Sequence, residues 1–108
     1  MVPAKYNLDI YIGSTFEMTI NVADFSMSGY TATMQIRESR NVGAPLILDC
    51  SIYITLDAMA GTLVLVIPAG VTQTITASKG VYDLELISGA TQYKLLEGVA
   101  VFNIGVIQ

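Results

Sequence analysis

Between Thr15 and Val22 apolar and polar residues alternate without a slip. Phe16, Met18, Ile20 and Val22 fall on one face, and Glu17, Thr19 and Asn21 on the other. A two-residue period matches a strand, whose successive side chains point to opposite faces. It does not match a helix, whose period is about 3.6. The pattern recurs. Tyr30, Ala32, Met34 and Ile36 oppose Thr31, Thr33, Gln35 and Arg37, and Tyr82, Leu84 and Leu86 oppose Asp83 and Glu85. Tyr6–Ile12 alternates in the same way. Near the end of the chain Val99, Val101 and Asn103 oppose Ala100, Phe102 and Ile104.

Between these runs lie turn-forming stretches: Ala23–Gly29, the polar Glu38–Pro45, Asp57–Gly61 and Ser88–Thr91. Leu46–Cys50, Ile52–Leu56 and Gln92–Leu96 read as shorter strands, with a kink or bulge at Glu97–Gly98. The closing stretch from Lys79 to Gln108 therefore reads as three strands. Thr62–Ile67, TLVLVI, is apolar throughout, as expected of a strand buried on both faces. Only the stretch 68–77 breaks the pattern. Pro68 suits a first helical turn, and Val71 and Ile75, four apart, would face the core of one short helix. The expectation is one all-β domain over residues 1–108. It would be an antiparallel β-sandwich, immunoglobulin-like or jelly-roll-like, of about eight strands with a short helix near 68–77.

The surface this implies is poor in charge. Charged residues make up 13% of the chain against about 25% in typical domains, and hydrophobic residues make up 53%. Part of the apolar surface is expected to lie against another chain. The five Lys and Arg (Lys5, Arg37, Arg40, Lys79 and Lys94) are scattered, and the net charge is -4. This argues against nucleic acid, which needs a basic patch to neutralise phosphates, and against a basic membrane-surface segment. No apolar run is long enough for a spanning helix, and the N-terminus lacks the pattern of a secretory signal. Cys50 is the single cysteine, lies in an apolar run, and reads as a core residue.

Residues that carry chemistry are scarce. With no histidine the chain lacks the usual general base and the commonest metal ligand. It carries no phosphate-cradling glycine motif. Asp83 and Glu85 share a strand face and read as an outward polar row. The expectation is a protein without catalytic, metal or cofactor residues that works by binding other proteins. Tyrosine, with an apolar body and a polar tip, suits such contacts. Tyr82 is assigned to the core, and Tyr6, Tyr11 and Tyr53 to an interface. Met18 and Met34 are in phase with strand faces and belong to the core. Met27 and Met59, in loops, are expected to be exposed. Phe25 and Ile107 complete the predicted interface.

Four blocks carry a family resemblance: G-S-T-F at Gly13–Phe16, G-Y-T-A-T-M-Q-I-R at Gly29–Arg37, G-x-Y-D-L-E-L at Gly80–Leu86, and L-L-E-G-V-A-V at Leu95–Val101. From about Tyr11 onward the series resembles small virion proteins of tailed phages and prophages. These are similar to the N-terminal domain of the baseplate upper protein of lactococcal-type phages. The family's final strand ends in a polar V-T-R-like tail, whereas this chain ends Asn103-Ile104-Gly105-Val106-Ile107-Gln108. The resemblance implies a virion structural protein, made in the bacterial host cytoplasm and present in multiple copies. It would be a baseplate or tail-fibre adaptor linking the tail core to the receptor-binding fibre. Larger relatives continue into a fibre segment, so a stand-alone adaptor is expected. Two alternatives are a capsid decoration, cement or neck protein, and a carbohydrate-binding module, against which the absence of Trp counts.

Overall fold

The computed structural model describes residues 2–23 and 25–105. Among these residues nine strands form two sheets that enclose one core. In chain order they are β1 (Ala4–Lys5), β2 (Leu8–Ile12), β3 (Phe16–Asn21), β4 (Thr31–Arg37), β5 (Leu46–Asp49), β6 (Ile54–Asp57), β7 (Thr62–Ile67), β8 (Lys79–Ser88) and β9 (Thr91–Ile104). One short helix, α1, spans Ala69–Thr72, and a 3-10 turn spans Ser51–Tyr53. The larger sheet runs β1-β9-β8-β4-β5, with β2 also on β9; the smaller runs β3-β7-β6. This is the all-β sandwich read from the alternation, with its helix inside 68–77.

The predicted inward faces are the core. Met34, Ile36, Tyr82, Leu84, Leu86, Ala100 and Phe102 from the larger sheet meet Leu63, Leu65 and Ile67 from the smaller one. Cys50 is buried at the corner where the chain leaves the larger sheet for the smaller. There its N–H and Ser51 Oγ both donate to Met34 O, at 2.8 and 3.3 Å, and Ser51 Oγ accepts from Met34 N at 3.0 Å. These bonds satisfy β4 where β5 has run out. Behind α1, Ile75 is buried and Val71 packs against the core, as expected. Thr72 is also fully buried. Its hydroxyl accepts from Gly13 N at 3.1 Å and donates to Ser14 O at 2.8 Å, which ties the helix to the turn before β3.

Several local expectations are corrected. The closing stretch holds two strands, not three, because β9 runs unbroken for 14 residues. Its irregularity is at Leu95 rather than Glu97–Gly98. Leu84 pairs with Leu96 and Glu85 with Lys94, so Leu95 is the extra residue of a bulge. Gly98 serves another purpose: a Cβ there would collide with the Tyr6 carbonyl oxygen of the strand alongside. The hairpin joining β8 to β9 turns through Gly89 at φ 57, a conformation that glycine adopts without strain.

Of the stretch Tyr6–Ile12 only Leu8–Ile12 (β2) is strand; Tyr6 and Asn7 separate it from the short β1, and both pieces run parallel to β9, not antiparallel. Where they break, Asn7 Oδ1 accepts from Val99 N at 3.0 Å in place of a backbone carbonyl. Ser51–Tyr53 takes up the first part of the strand expected at Ile52–Leu56. Finally, β7 is buried on one face only. Leu63, Leu65 and Ile67 point inward, whereas Val64 is half-buried and Val66 is exposed, because nothing among the described residues covers the outer face of the smaller sheet.

Candidate protein-interaction site

The strongest candidate is the sandwich edge where β2 and β3 lie side by side. The β1–β2 arm is held from inside: Tyr6 N donates to Glu97 O at 2.9 Å, and Tyr82 Oη donates to Tyr6 O at 2.6 Å. The Tyr6 backbone is thereby fixed, while the residue as a whole stays 54% exposed. On β2, Leu8 and Ile10 enter the core. Asp9 and Tyr11 alternate outward, and Tyr11, opposite Asn103, is 58% exposed. Two of the predicted interface tyrosines therefore share one edge on a rigid backbone.

Facing this arm is β3. Its inward residues Phe16, Met18 and Ile20 pack against the core but remain only half-buried. Tyr6, Asn7, Leu8 and Asp9 with Phe16, Glu17 and Met18 line a shallow groove of about 190 Å³ between the two strands. Among the described residues no strand pairs with the other side of β3. An edge with unpaired N–H and C=O groups is a template for another strand. Proteins that avoid such pairing guard their edges with charged side chains, lysine above all, with proline or with a bulge. β3 carries no lysine, proline or bulge, and the exposed Glu17 is its single charge.

The outer face of the larger sheet is built differently. Arg40, from the loop after β4, reaches over it to Asp83 at 2.8 Å and Glu97 at 3.7 Å, and Lys94 meets Asp83 at 3.4 Å. The hydrogen bond to Asp83 raises the Arg40 pKa above its ordinary value. Arg37 is held by Gln35 Oε1, at 2.9 and 3.1 Å, and by Ala44 O at 2.7 Å. Asp49, at the end of β5, is held below the usual carboxylate range, first by the Ser51 backbone N–H. A polar groove of about 240 Å³ lies among Thr33, Gln35, Arg37, Arg40, Asp83 and Glu85. Both arginines of this groove already have partners, Arg40 in Asp83 and Glu97 and Arg37 in Gln35 and Ala44. Asp83 and Glu85 form the outward polar row expected of them. Among the described residues no group of Cys, Asp and Glu is arranged to hold a metal ion. No described helix is long and apolar enough to cross a membrane.

The remaining predicted interface residues scatter. Met27 is corrected outright. It is fully buried, because a turn closed by Tyr30 N donating to Met27 O at 3.0 Å folds its side chain into the core. Phe25 packs edge-on against Tyr93 and tilted against Tyr30, with ring centroids 5.4 Å away in both cases. Tyr53 packs against the core. Met59 is fully exposed, as expected, at the tip of the β6–β7 turn. Ile107 lies outside the described residues. Sequence reasoning missed Asn7, Phe16, Glu17 and Met18 as site residues. The alternation that places Phe16 and Met18 inward carries no sign that their strand sits on an edge.

No protein-family model matches this chain, and no curated protein matches it either.

Proposed function

We propose that this chain is a structural protein of a tailed-phage particle, a baseplate or tail-fibre adaptor that joins the tail core to the receptor-binding fibre. It acts by non-covalent contact between subunits and not by turnover. One observation carries the binding part of this reading: the neighbouring edges of β2 and β3 present exposed Tyr6 and Tyr11 beside a strand whose outer side is unpaired among the described residues. An edge strand gives affinity through main-chain hydrogen bonds, and its side-chain pockets give specificity. The virion part rests on the four sequence blocks and their resemblance to phage baseplate proteins. The glycan-binding alternative draws no support from the cluster of Phe25, Tyr30 and Tyr93. These three are inclined to one another by 43–81° and form no flat platform for sugar rings.

The test is gold-labelled antibody against the chain, viewed by electron microscopy on phage particles released from the cell that encodes it. Label at the distal end of the tail is expected. Label over the head or neck would replace the adaptor with a decoration or connector protein, and particles without label, intact or opened, would overturn the virion reading.

A further inference from the structure

We infer that β3 pairs with β3 of a second copy of this chain, antiparallel and centred on Thr19, joining the two three-stranded sheets into one. The inference deepens the reading of this edge as a docking edge and rests on it, but not on the virion assignment.

The register follows from which backbone groups β3 has left to offer. Val22 N donates to Gly61 O at 2.8 Å, so Val22 turns its backbone toward β7. In an antiparallel ladder such groups alternate along the strand. Ile20, Met18 and Phe16, opposite Leu63, Leu65 and Ile67, therefore also bond to β7. Glu17, Thr19 and Asn21 direct their N–H and C=O groups outward. They are every second residue, as one face of a ladder requires. If two copies meet about a two-fold axis through Thr19, then Thr19 exchanges both bonds with its counterpart. Glu17 does so with Asn21 of the second copy, and Asn21 with Glu17. Each of the three residues contributes one donor and one acceptor, and all of them find partners.

The side chains agree with that register, which is also the one that pairs all three outward residues of β3 among themselves. From Phe16 to Val22 the strand reads the same chemically in both directions: apolar, polar, apolar, Thr, apolar, polar, apolar. On the solvent face the pairing sets Thr19 against Thr19 and Glu17 against Asn21. Threonine pairs are favourable across strands, and no two carboxylates are opposed. On the core face it sets Met18 against Ile20 and Phe16 against Val22. All four are half-buried in the single chain, so the second copy covers apolar surface that one chain leaves wet. A register slip by one residue would send apolar side chains to the solvent face, and a dyad on Met18 or Ile20 would leave Asn21 or Glu17 opposite a residue outside β3. A slip of the dyad by two residues, onto Glu17, would place the two Glu17 carboxylates against each other. The resulting contact is isologous and closes at two copies.

The test uses the whole chain. Sedimentation velocity at tens of micromolar should show twice the monomer mass. Thr19→Lys places two ammonium groups opposite each other on a solvent-facing position that the single chain does not use. It should raise the dissociation constant about tenfold or more and leave the far-ultraviolet spectrum unchanged. Thr19→Cys should be joined to its counterpart by a short bifunctional maleimide. Thr55→Cys, on the outer face of β6, should not, and native Cys50 is buried and does not compete. A chain that stays monomeric at all concentrations overturns the proposal. So does a dimer that Thr19→Lys leaves intact and Thr19→Cys does not cross-link. A monomer whose incorporation into particles is abolished by Thr19→Lys would overturn self-pairing alone and leave the edge to a different strand.

Discussion

The Tyr82 hydroxyl donates to the carbonyl of Tyr6 at 2.6 Å, from a side chain that is otherwise wholly within the core. The bond spans 76 residues of sequence and joins β8 to the middle of the N-terminal arm, between β1 and β2, beside Gly98 of β9. It explains why Tyr and not Phe stands in this buried position. The β1–β2 arm is parallel to β9, short and broken at Asn7, so it needs an anchor beyond its own ladder. Tyr82→Phe keeps the ring and removes that anchor. The expected cost is about 0.5–1.5 kcal/mol, the net value of one neutral hydrogen bond. Hydrogen exchange should quicken at the Tyr6 amide, which bonds to Glu97 O, while amides in the middle of β8 stay protected. Unchanged exchange at Tyr6 would show that the arm is held without Tyr82.

Gly98 is the complementary half of that anchor. A methyl group there would meet the Tyr6 carbonyl oxygen, its carbon at 2.8 Å, and Asn7 Oδ1 at 3.0 Å. None of these is the flexible end of a long side chain, so the arm has to move. Gly98→Ala is expected to destabilise the chain by about 1–3 kcal/mol, as overpacking does, even though alanine is compatible with a strand. A melting temperature equal to that of the parent would refute the close approach. Gly80 makes a similar case on the other side of β8. A Cβ there would meet Ile47 Cδ1 at 2.6 Å and Arg37 O at 2.7 Å, which accounts physically for a glycine at the head of an otherwise bulky strand.

Burial pushes the Cys50 thiol from 9.0 up to about 12, with the Asp49 charge adding to it. Burial likewise pushes the Tyr82 phenol from 10.0 up to about 12, with smaller contributions from Tyr6 and Asp83. In both cases the folded chain keeps a proton that the unfolded chain releases. The stability tied to these groups is therefore complete below about pH 9 and is lost as pH rises toward about 12. Each group contributes a slope of about 1.4 kcal/mol per pH unit within its own window. Denaturant midpoints should fall first with Cys50 alone and more steeply above pH 10. In Cys50→Ala the decline should begin about one pH unit later. A midpoint independent of pH between 9 and 11 would show that neither group is protected from titration.

What could be read from the sequence is what side-chain periodicity encodes. The inward placement of Met34, Ile36, Tyr82, Leu84 and Leu86 follows from alternation alone, because a strand with one buried face has only one register that hides them. The pairing partner of a strand is not encoded in this way. Nothing local in Leu8–Ile12 distinguishes a parallel neighbour from an antiparallel one. Nor does the apolar run of β7 show that the smaller sheet leaves one face open. Loop side chains are less legible still. Met27 and Met59 both sit in turns, yet one is wholly buried and the other wholly exposed, and only the path of the neighbouring chain decides which. For the candidate site the same division holds. The tyrosines of the arm were readable by residue type, whereas the edge position of β3, on which their use depends, is a property of the assembled sheets.

The second half of β9 carries the last prediction. Ala100, Phe102 and their neighbours are the whole pairing partner of β2, from Leu8 opposite Ala100 to Ile12 opposite Ile104. They also complete the ladder with Lys79, Gly80 and Val81. Ending the chain at Gly98 removes Phe102 from the core and uncovers Leu8 and Ile10, whereas Ile104, 81% exposed, contributes little. Burying each of Phe102, Leu8 and Ile10 stabilises the fold by about 1.5–3 kcal/mol. Together they rival the entire stability of a small domain, about 5–15 kcal/mol. The truncated chain is expected to be unfolded at 25 °C, with no cooperative melting transition and no dispersion of its amide resonances. If it instead melts cooperatively near the parent temperature, the strand is a docking arm and the core closes without it. Phe102→Ala in the full chain would then cost less than the roughly 3–5 kcal/mol expected for emptying a core position of this size.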